Sequence, residues 1–282
     1  MAPGQEPLDI QVFLGKIENT CRRLCGEYLV SIRLFGSVVD GLFVRGTSDV
    51  DFMVIVRDDC PNEIMDHLRL ALLRLELEDN IADVRNVGSL QLAFDSRTAF
   101  FRSHFVFHRA TLQIPNYSRL VEETEAFELP GGRFFQRVLG IFVPWRLVMS
   151  NVVSQSVLVF GKDELTNPFP RIAWRLESIR GFLMTFGVSL LGALHSVTSK
   201  DGTRISLEAI KWYLIGKASC RLRHRANLET SLALLGRARS NALIQRFEAL
   251  RRLYVSDRPF SLACPLIILY LQVFWRITYC AR

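Results

Sequence analysis

The side chains best suited to chemistry lie in Leu34-Phe35-Gly36-Ser37 and, eleven residues further on, in Asp49-Val50-Asp51-Phe52-Met53-Val54-Ile55-Val56. Residues two apart in a strand project to one face, so Asp49 and Asp51 set two carboxylates side by side at the start of a branched, apolar run. Like charges this close repel unless a cation lies between them. Carboxylates are the hard oxygen ligands that Mg²⁺ prefers, and Mg²⁺ completes its octahedron with water and phosphate oxygens. Gly36 lets the backbone approach a phosphate with no Cβ in the way, while Ser37 adds a hydroxyl and an N–H as donors. The spacing describes a phosphate clamp facing a metal site.

A two-metal arrangement, with ions about 4 Å apart, needs a third carboxylate. Asp83 is the candidate, in Ile81-Ala82-Asp83-Val84-Arg85-Asn86-Val87, a strand that can lie beside residues 50–56. There it can ligate the catalytic ion and accept the proton of an attacking hydroxyl. Asp95, after residues 90–94, is the second candidate for that place. Arg85 shares the face of Asp83 and suits either a phosphate or a structural ion pair.

The surrounding elements must hold these groups in place. Ile10, Phe13, Leu14, Ile17, Cys21 and Leu24 recur at helical spacing, with Asp9 as a cap, and predict an amphipathic first helix. Strands are expected at 28–35, 50–56, 81–87, 105–114 and 157–160, with a helix over 63–77 capped by Asn62. His104 and His108 fall in an expected strand, too far apart to share a ligand, and read as structural. Beyond Pro170 the pattern is helical, over 172–194, 206–222, 228–254 and 262–279, with a turn signal at Ser199-Lys200-Asp201-Gly202-Thr203.

The motif residues resemble the hallmark of the DNA polymerase β-like nucleotidyltransferase superfamily. Its members have a strand ending in Gly-Ser, a loop, an Asp-x-Asp strand and a third acidic residue on a neighbouring strand. Ser48-Asp49-Val50-Asp51 has the form of the small bacterial and archaeal members. Their loop commonly reads Gly-Ser-x-x-Arg-Gly. Here Gly36-Ser37-Val38-Val39-Asp40-Gly41 keeps the glycine but has Asp40 for the arginine, which leaves Arg45 to substitute. The resemblance covers residues 28–90 and continues more loosely to Pro168. SVLVFGKDELTNPFP and Ala209-Ile210-Lys211-Trp212-Tyr213 add a weaker similarity to the C-terminal domain of aminoglycoside adenylyltransferases.

The resemblance implies an α+β fold: a polymerase β-like nucleotidyltransferase mixed sheet with helices over 1–168, then an all-helical C-terminal domain over 169–282. It implies Mg²⁺-dependent transfer of a nucleoside monophosphate, AMP from ATP or another NTP, to an acceptor hydroxyl with release of pyrophosphate. Asp49 and Asp51 would hold both ions and Asp83 the catalytic one, with Gly36, Ser37, Arg45 and Ser48 at the nucleotide. The acceptor could be a small molecule, RNA or a protein. A non-catalytic nucleotide- or partner-binding module on the same fold is the alternative.

Composition narrows the field. With 282 residues, 49% hydrophobic and 22% charged, the chain is neither a disordered tail nor a small disulfide scaffold. The net charge of +7 is uneven: residues 1–168 hold 17 basic and 22 acidic side chains, and residues 169–282 hold 18 and 6. The basic second region favours an anionic partner such as RNA. Six cysteines without CxxC spacing predict buried free thiols in a reduced, cytoplasmic protein and no zinc site. Mean hydropathy is +0.18, but the apolar run of residues 259–275 has 17 uncharged residues against the roughly 20 that span a bilayer, so a buried C-terminal helix and no membrane are expected.

Overall fold

The computed structural model describes residues 8–41, 43, 50–79, 104–113, 123, 144–165, 174–195, 201–224, 226–236, 245, 247 and 249. The chain divides into two units, residues 1–140 with 152–170 and residues 141–151 with 171–282.

In the first unit the apolar spacing of the N-terminal segment yields helix α1 (Leu8–Cys25), which opens one residue ahead of the expected Asp9 cap. It buries Ile10, Phe13, Leu14, Ile17 and Cys21, as the period requires. A 3₁₀ turn (Gly26–Tyr28) leads into β1 (Leu29–Phe35), followed by β2 (Asp51–Val56) and α2 (Asn62–Asp79). Strand β3 (His104–His108) runs directly into helix α3 (Arg109–Gln113). The sheet is completed by β4 (Val157–Gly161), in the order β3-β2-β1-β4.

Strand β1 is antiparallel to β2 and β4, and β3 is parallel to β2. Phe52, Val54 and Val56 of β2 share one core with Ile32 and Leu34 of β1, Val106 of β3, and α1 and α2. Phe13 meets Phe52 edge to face at 6.3 Å. Met53 and Ile55, which point to the opposite face, are also fully buried. Burial on both faces explains why β2 is an unbroken apolar run rather than an alternating one.

Two expectations need correction. The strand expected over 105–114 stops at His108, because Asp58 accepts the Ala110 N–H at 2.6 Å and Arg109 pairs with Asp58 and Glu164, which starts a helix there. The turn signal at 199–203 falls partly within a helix, since Asp201–Leu222 is helical from its first residue. Residues 81–87, expected beside β2, lie outside the described residues; over Phe52–Val56, β2 is flanked by β1 and by β3. Sequence patterning also missed a helix, α4 (Trp145–Gln155), whose several valines hide the helical period. It starts directly after Pro144, whose carbonyl accepts the Val148 N–H at 2.9 Å.

The second unit contains Trp145–Asn151 of α4, then α5 (Trp174–His195), α6 (Asp201–Leu222) and α7 (Leu228–Gly236). Asn227 caps α7 by accepting the Thr230 N–H at 2.7 Å. Leu207, Ile210, Tyr213, Leu214 and Ala218 of α6 are buried, and Phe182 of α5 meets Tyr213 edge to face at 6.1 Å. The helix expected over 262–279, and the end of the one expected over 228–254, lie outside the described residues apart from positions 245, 247 and 249.

Glu177 stands buried in the first turn of α5, taking a long hydrogen bond from the Leu147 N–H (3.4 Å) and one from Arg180 (3.2 Å). Burial dominates these contacts and pushes its carboxyl above the ordinary range. With the folded value above the unfolded one, stability is full below the ordinary glutamate pKa of about 4.3 and falls as pH rises from there to the raised value. Glu177→Gln should therefore flatten the fall in urea midpoint above pH 4 while keeping the Leu147 contact; an unchanged pH profile would contradict this.

Candidate functional site

The described part of the site is built where β1 ends and β2 begins. The register sets Phe35 opposite Asp51, so the chain leaves β1 through Gly36 directly beside the Asp51 side chain. Gly36 has φ +73°, a left-handed conformation that costs other residues about 1–2 kcal/mol. A Cβ added there would overlap Oδ2 of Asp51 and lie 2.9 Å from its Cγ. The glycine is thus required for backbone shape and for space.

The loop that follows is tied down at both ends. The Gly36 carbonyl accepts the Asp40 N–H at 3.0 Å, and Gly41, also at positive φ, donates to the Val38 carbonyl. Val38 and Val50 are buried in the core, and Phe43 packs against it. Ser37 is half-buried on this turn, and Asp40 is exposed. Asp51 is half-buried, so its carboxylate borders both the core and the solvent. A carboxylate in a cradle that a Cβ would fill suits a hard divalent cation and its phosphate ligands.

Of the expected site residues, Gly36, Ser37 and Asp51 fall among the described residues, and Gly36 and Asp51 are in direct contact. Arg45, Ser48, Asp49, Asp83, Arg85 and Asp95 lie outside them. Among the described residues no three His, Cys, Asp or Glu side chains group around a possible metal ion. Strand β3 carries no carboxylate: His104 pairs in register with Phe52, one residue past Asp51.

The two histidines are structural, each held by an acidic side chain. Nδ1 of His104 lies 2.7 Å from Glu76, and its ring stacks on Phe52 at 5.8 Å. Nδ1 of His108 lies 2.7 Å from Glu123, and its Nε2 is 3.0 Å from the Cys60 carbonyl. A polar contact that sequence reading passed over is Arg33, buried in β1. It donates to the side chain and carbonyl of Ser156 and to Asp163, fastening β1 to both ends of β4. Nothing in the sequence marks it, because its partners lie more than 120 residues away.

The cysteines among the described residues provide no nucleophile. Cys21, Cys25 and Cys60 are buried and Cys220 is half-buried, all as free thiols. Burial raises each pKa, that of Cys25 to about 12 and that of Cys220 to about 11, so they stay protonated near neutrality.

The model of the nucleotidyltransferase domain family matches residues 14–102, a span that holds the turn, Asp51 and the expected ligands. The chain carries a polymerase β-like nucleotidyltransferase domain. Five chains of solved structures match it. One is spectinomycin adenyltransferase AAD(9) from Enterococcus faecialis, with ATP and spectinomycin, with a TM-score of 0.54 over 95% of this chain and 99% of that one at 10% identity. This likeness is one of fold, a mixed α+β nucleotidyltransferase region followed by helices. No curated protein matches the sequence. Among the described residues no helix is long and apolar enough to cross a membrane.

Gly36→Ala tests the cradle. It should lower thermal stability by about 1–2 kcal/mol through the backbone alone, and displace the Asp51 side chain that occupies the space of the added Cβ. Wild-type thermal stability with an alanine at this position would show that the turn does not need a glycine.

Proposed function

We propose that the protein transfers a nucleoside monophosphate, AMP from ATP, to a hydroxyl of a small molecule. The observation that carries this reading is the Gly36–Asp51 cradle at the β1–β2 turn, inside the matched nucleotidyltransferase domain.

Asp49 and Asp51 would hold Mg²⁺, with Asp83 as the third ligand and Asp95 as its rival. The bound cation supplies charge neutralisation at the phosphates. The Gly36–Ser37 turn offers its N–H groups and the Ser37 hydroxyl to the β- and γ-phosphates, with Ser48 and Arg45 as further contacts. The acceptor oxygen forms a bond to the α-phosphorus, the bond to the bridging oxygen of the β-phosphate breaks, and pyrophosphate leaves. Asp83 takes the proton from the acceptor hydroxyl. Catalysis of this kind is positioning and charge compensation, which a rigid turn fixed by Val38, Val50 and the β1–β2 register is built to supply.

A small-molecule acceptor is favoured because the fold neighbour was crystallised with ATP and spectinomycin. The RNA acceptor expected from the basic charge of residues 169–282 has that charge alone behind it and is not carried forward. A second reading, nucleotide binding without transfer, draws support from β3, which places no acidic residue beside β2.

The test is incubation with α-labelled NTPs, Mg²⁺ and a panel of hydroxyl-bearing small molecules, with total RNA as a separate arm. Label from ATP should pass to a small molecule, and Asp49→Ala and Asp51→Ala should each reduce transfer at least 100-fold. Equal transfer by either variant would remove these roles. Nucleotide binding with no transfer to any acceptor would select the second reading.

A further inference from the structure

The sheet face that carries Asp51 also carries three phenylalanines. Phe35 pairs in register with Asp51, and Phe105 of β3 pairs with Met53, two residues past it. Paired residues share a face, as do residues two apart, so these side chains and Phe107 project away from the core shared with α1 and α2. The rings form a ladder. The centroids of Phe35 and Phe105 are 6.0 Å apart, and those of Phe105 and Phe107 are 5.7 Å apart with their planes within 9° of parallel. Met53, Ile55 and Phe107 are fully buried and Phe35 nearly so, whereas Phe105 and Asp51 are half-buried. The parallel β2–β3 pairing sets Phe105 at the Asp51 end of the sheet. A strand spacing of about 4.8 Å and a rise of about 3.3 Å per residue separate the two Cα atoms by about 8 Å.

We propose that Phe105 is the surface on which the base of the bound nucleotide stacks. The inference rests on the nucleotide reading of the Gly36–Asp51 cradle, since a nucleotide held there by its phosphates carries its base one ribose further on. Strand β3 reads His-Phe-Val-Phe-His, so what it brings to that end of the sheet is a ring rather than a carboxylate. Phe35 and Phe107 on either side hold the Phe105 ring in place, which spares the nucleotide the entropy of ordering it. A base presents a flat π-face that such a ring matches. A hydroxyl acceptor is recognised by hydrogen bonds, which a phenyl ring does not supply, so Phe105 belongs to the nucleotide and not to the acceptor. For the same reason the ring does not read base edges. Selection then follows stacking strength, and purine nucleotides should bind more tightly than pyrimidine nucleotides.

Titration calorimetry of the full chain would compare ATP with tripolyphosphate, which has the phosphates and no base, both with Mg²⁺. Phe105→Leu should weaken ATP binding at least about fivefold, the loss of one base–aromatic stack, and leave tripolyphosphate binding unchanged. Phe105→Tyr, which keeps the ring, should bind ATP as the wild type does. Phe105→Trp gives a second measurement that does not depend on the leucine variant folding: ATP should quench its added fluorescence and tripolyphosphate should not. Wild-type ATP affinity in Phe105→Leu, an equal loss of both ligands, or no quenching specific to ATP would overturn the proposal and leave the cradle standing. Failure of the wild-type chain to bind either ligand would overturn the nucleotide reading of the cradle, and this inference with it.

Discussion

The site depends on one close approach. The Asp51 carboxylate lies in the space that a side chain at position 36 would fill. This needs a residue without a Cβ at a left-handed φ, and it needs Phe35 and Asp51 to pair so that the turn leaves β1 at that carboxylate. A shift of one residue in the β1–β2 register would turn Asp51 to the face packed by α1 and α2, where an ionised carboxylate has no water. The core contacts of Phe52, Val54 and Val56 fix that register, so the apolar packing of β2 also aims its first residue.

Two polar networks then hold the sheet around that strand. Arg33 ties β1 to β4 with three donated bonds, and its guanidinium is buried without being left unsatisfied. On the far side, Arg69 of α2 donates to the backbone carbonyls of Val106 and Glu123, while Glu123 also accepts from Thr111 and the His108 N–H. These contacts join a helix, a strand end and a later segment at the edge where β3 gives way to α3. A paired charge of this kind adds geometric definition more than net stability, because desolvation offsets much of the attraction.

The helical unit follows a different logic. Its interior accepts polar side chains that find partners within the unit: Thr185 donates to the Gly181 carbonyl, Ser206 to the Ser189 carbonyl, and Glu177 accepts from Leu147 and Arg180. With these polar groups turned inward, Leu176, Ile179, Leu183 and Leu190 of α5 are left facing outward. Hydropathy alone would place those residues inside, which is why α5 shows little contrast between its two sides in sequence.

The sequence alone was sufficient where information is local. Helix α1 and strands β1, β2 and β4 follow from apolar period and branched residues, and the Gly-Ser and Asp-x-Asp spacing identified the nucleotidyltransferase domain. It also picked out Gly36 and Asp51, but as separate parts, a phosphate approach and a metal ligand. Tertiary structure decided that they touch, because the register of two strands is set by the helices packed on them. It decided that β3 ends at His108, because Asp58 and Glu123 satisfy the backbone there from elsewhere in the chain. It put His104–His108 beside β2, since strand neighbours are chosen by packing across long separations that no local pattern encodes.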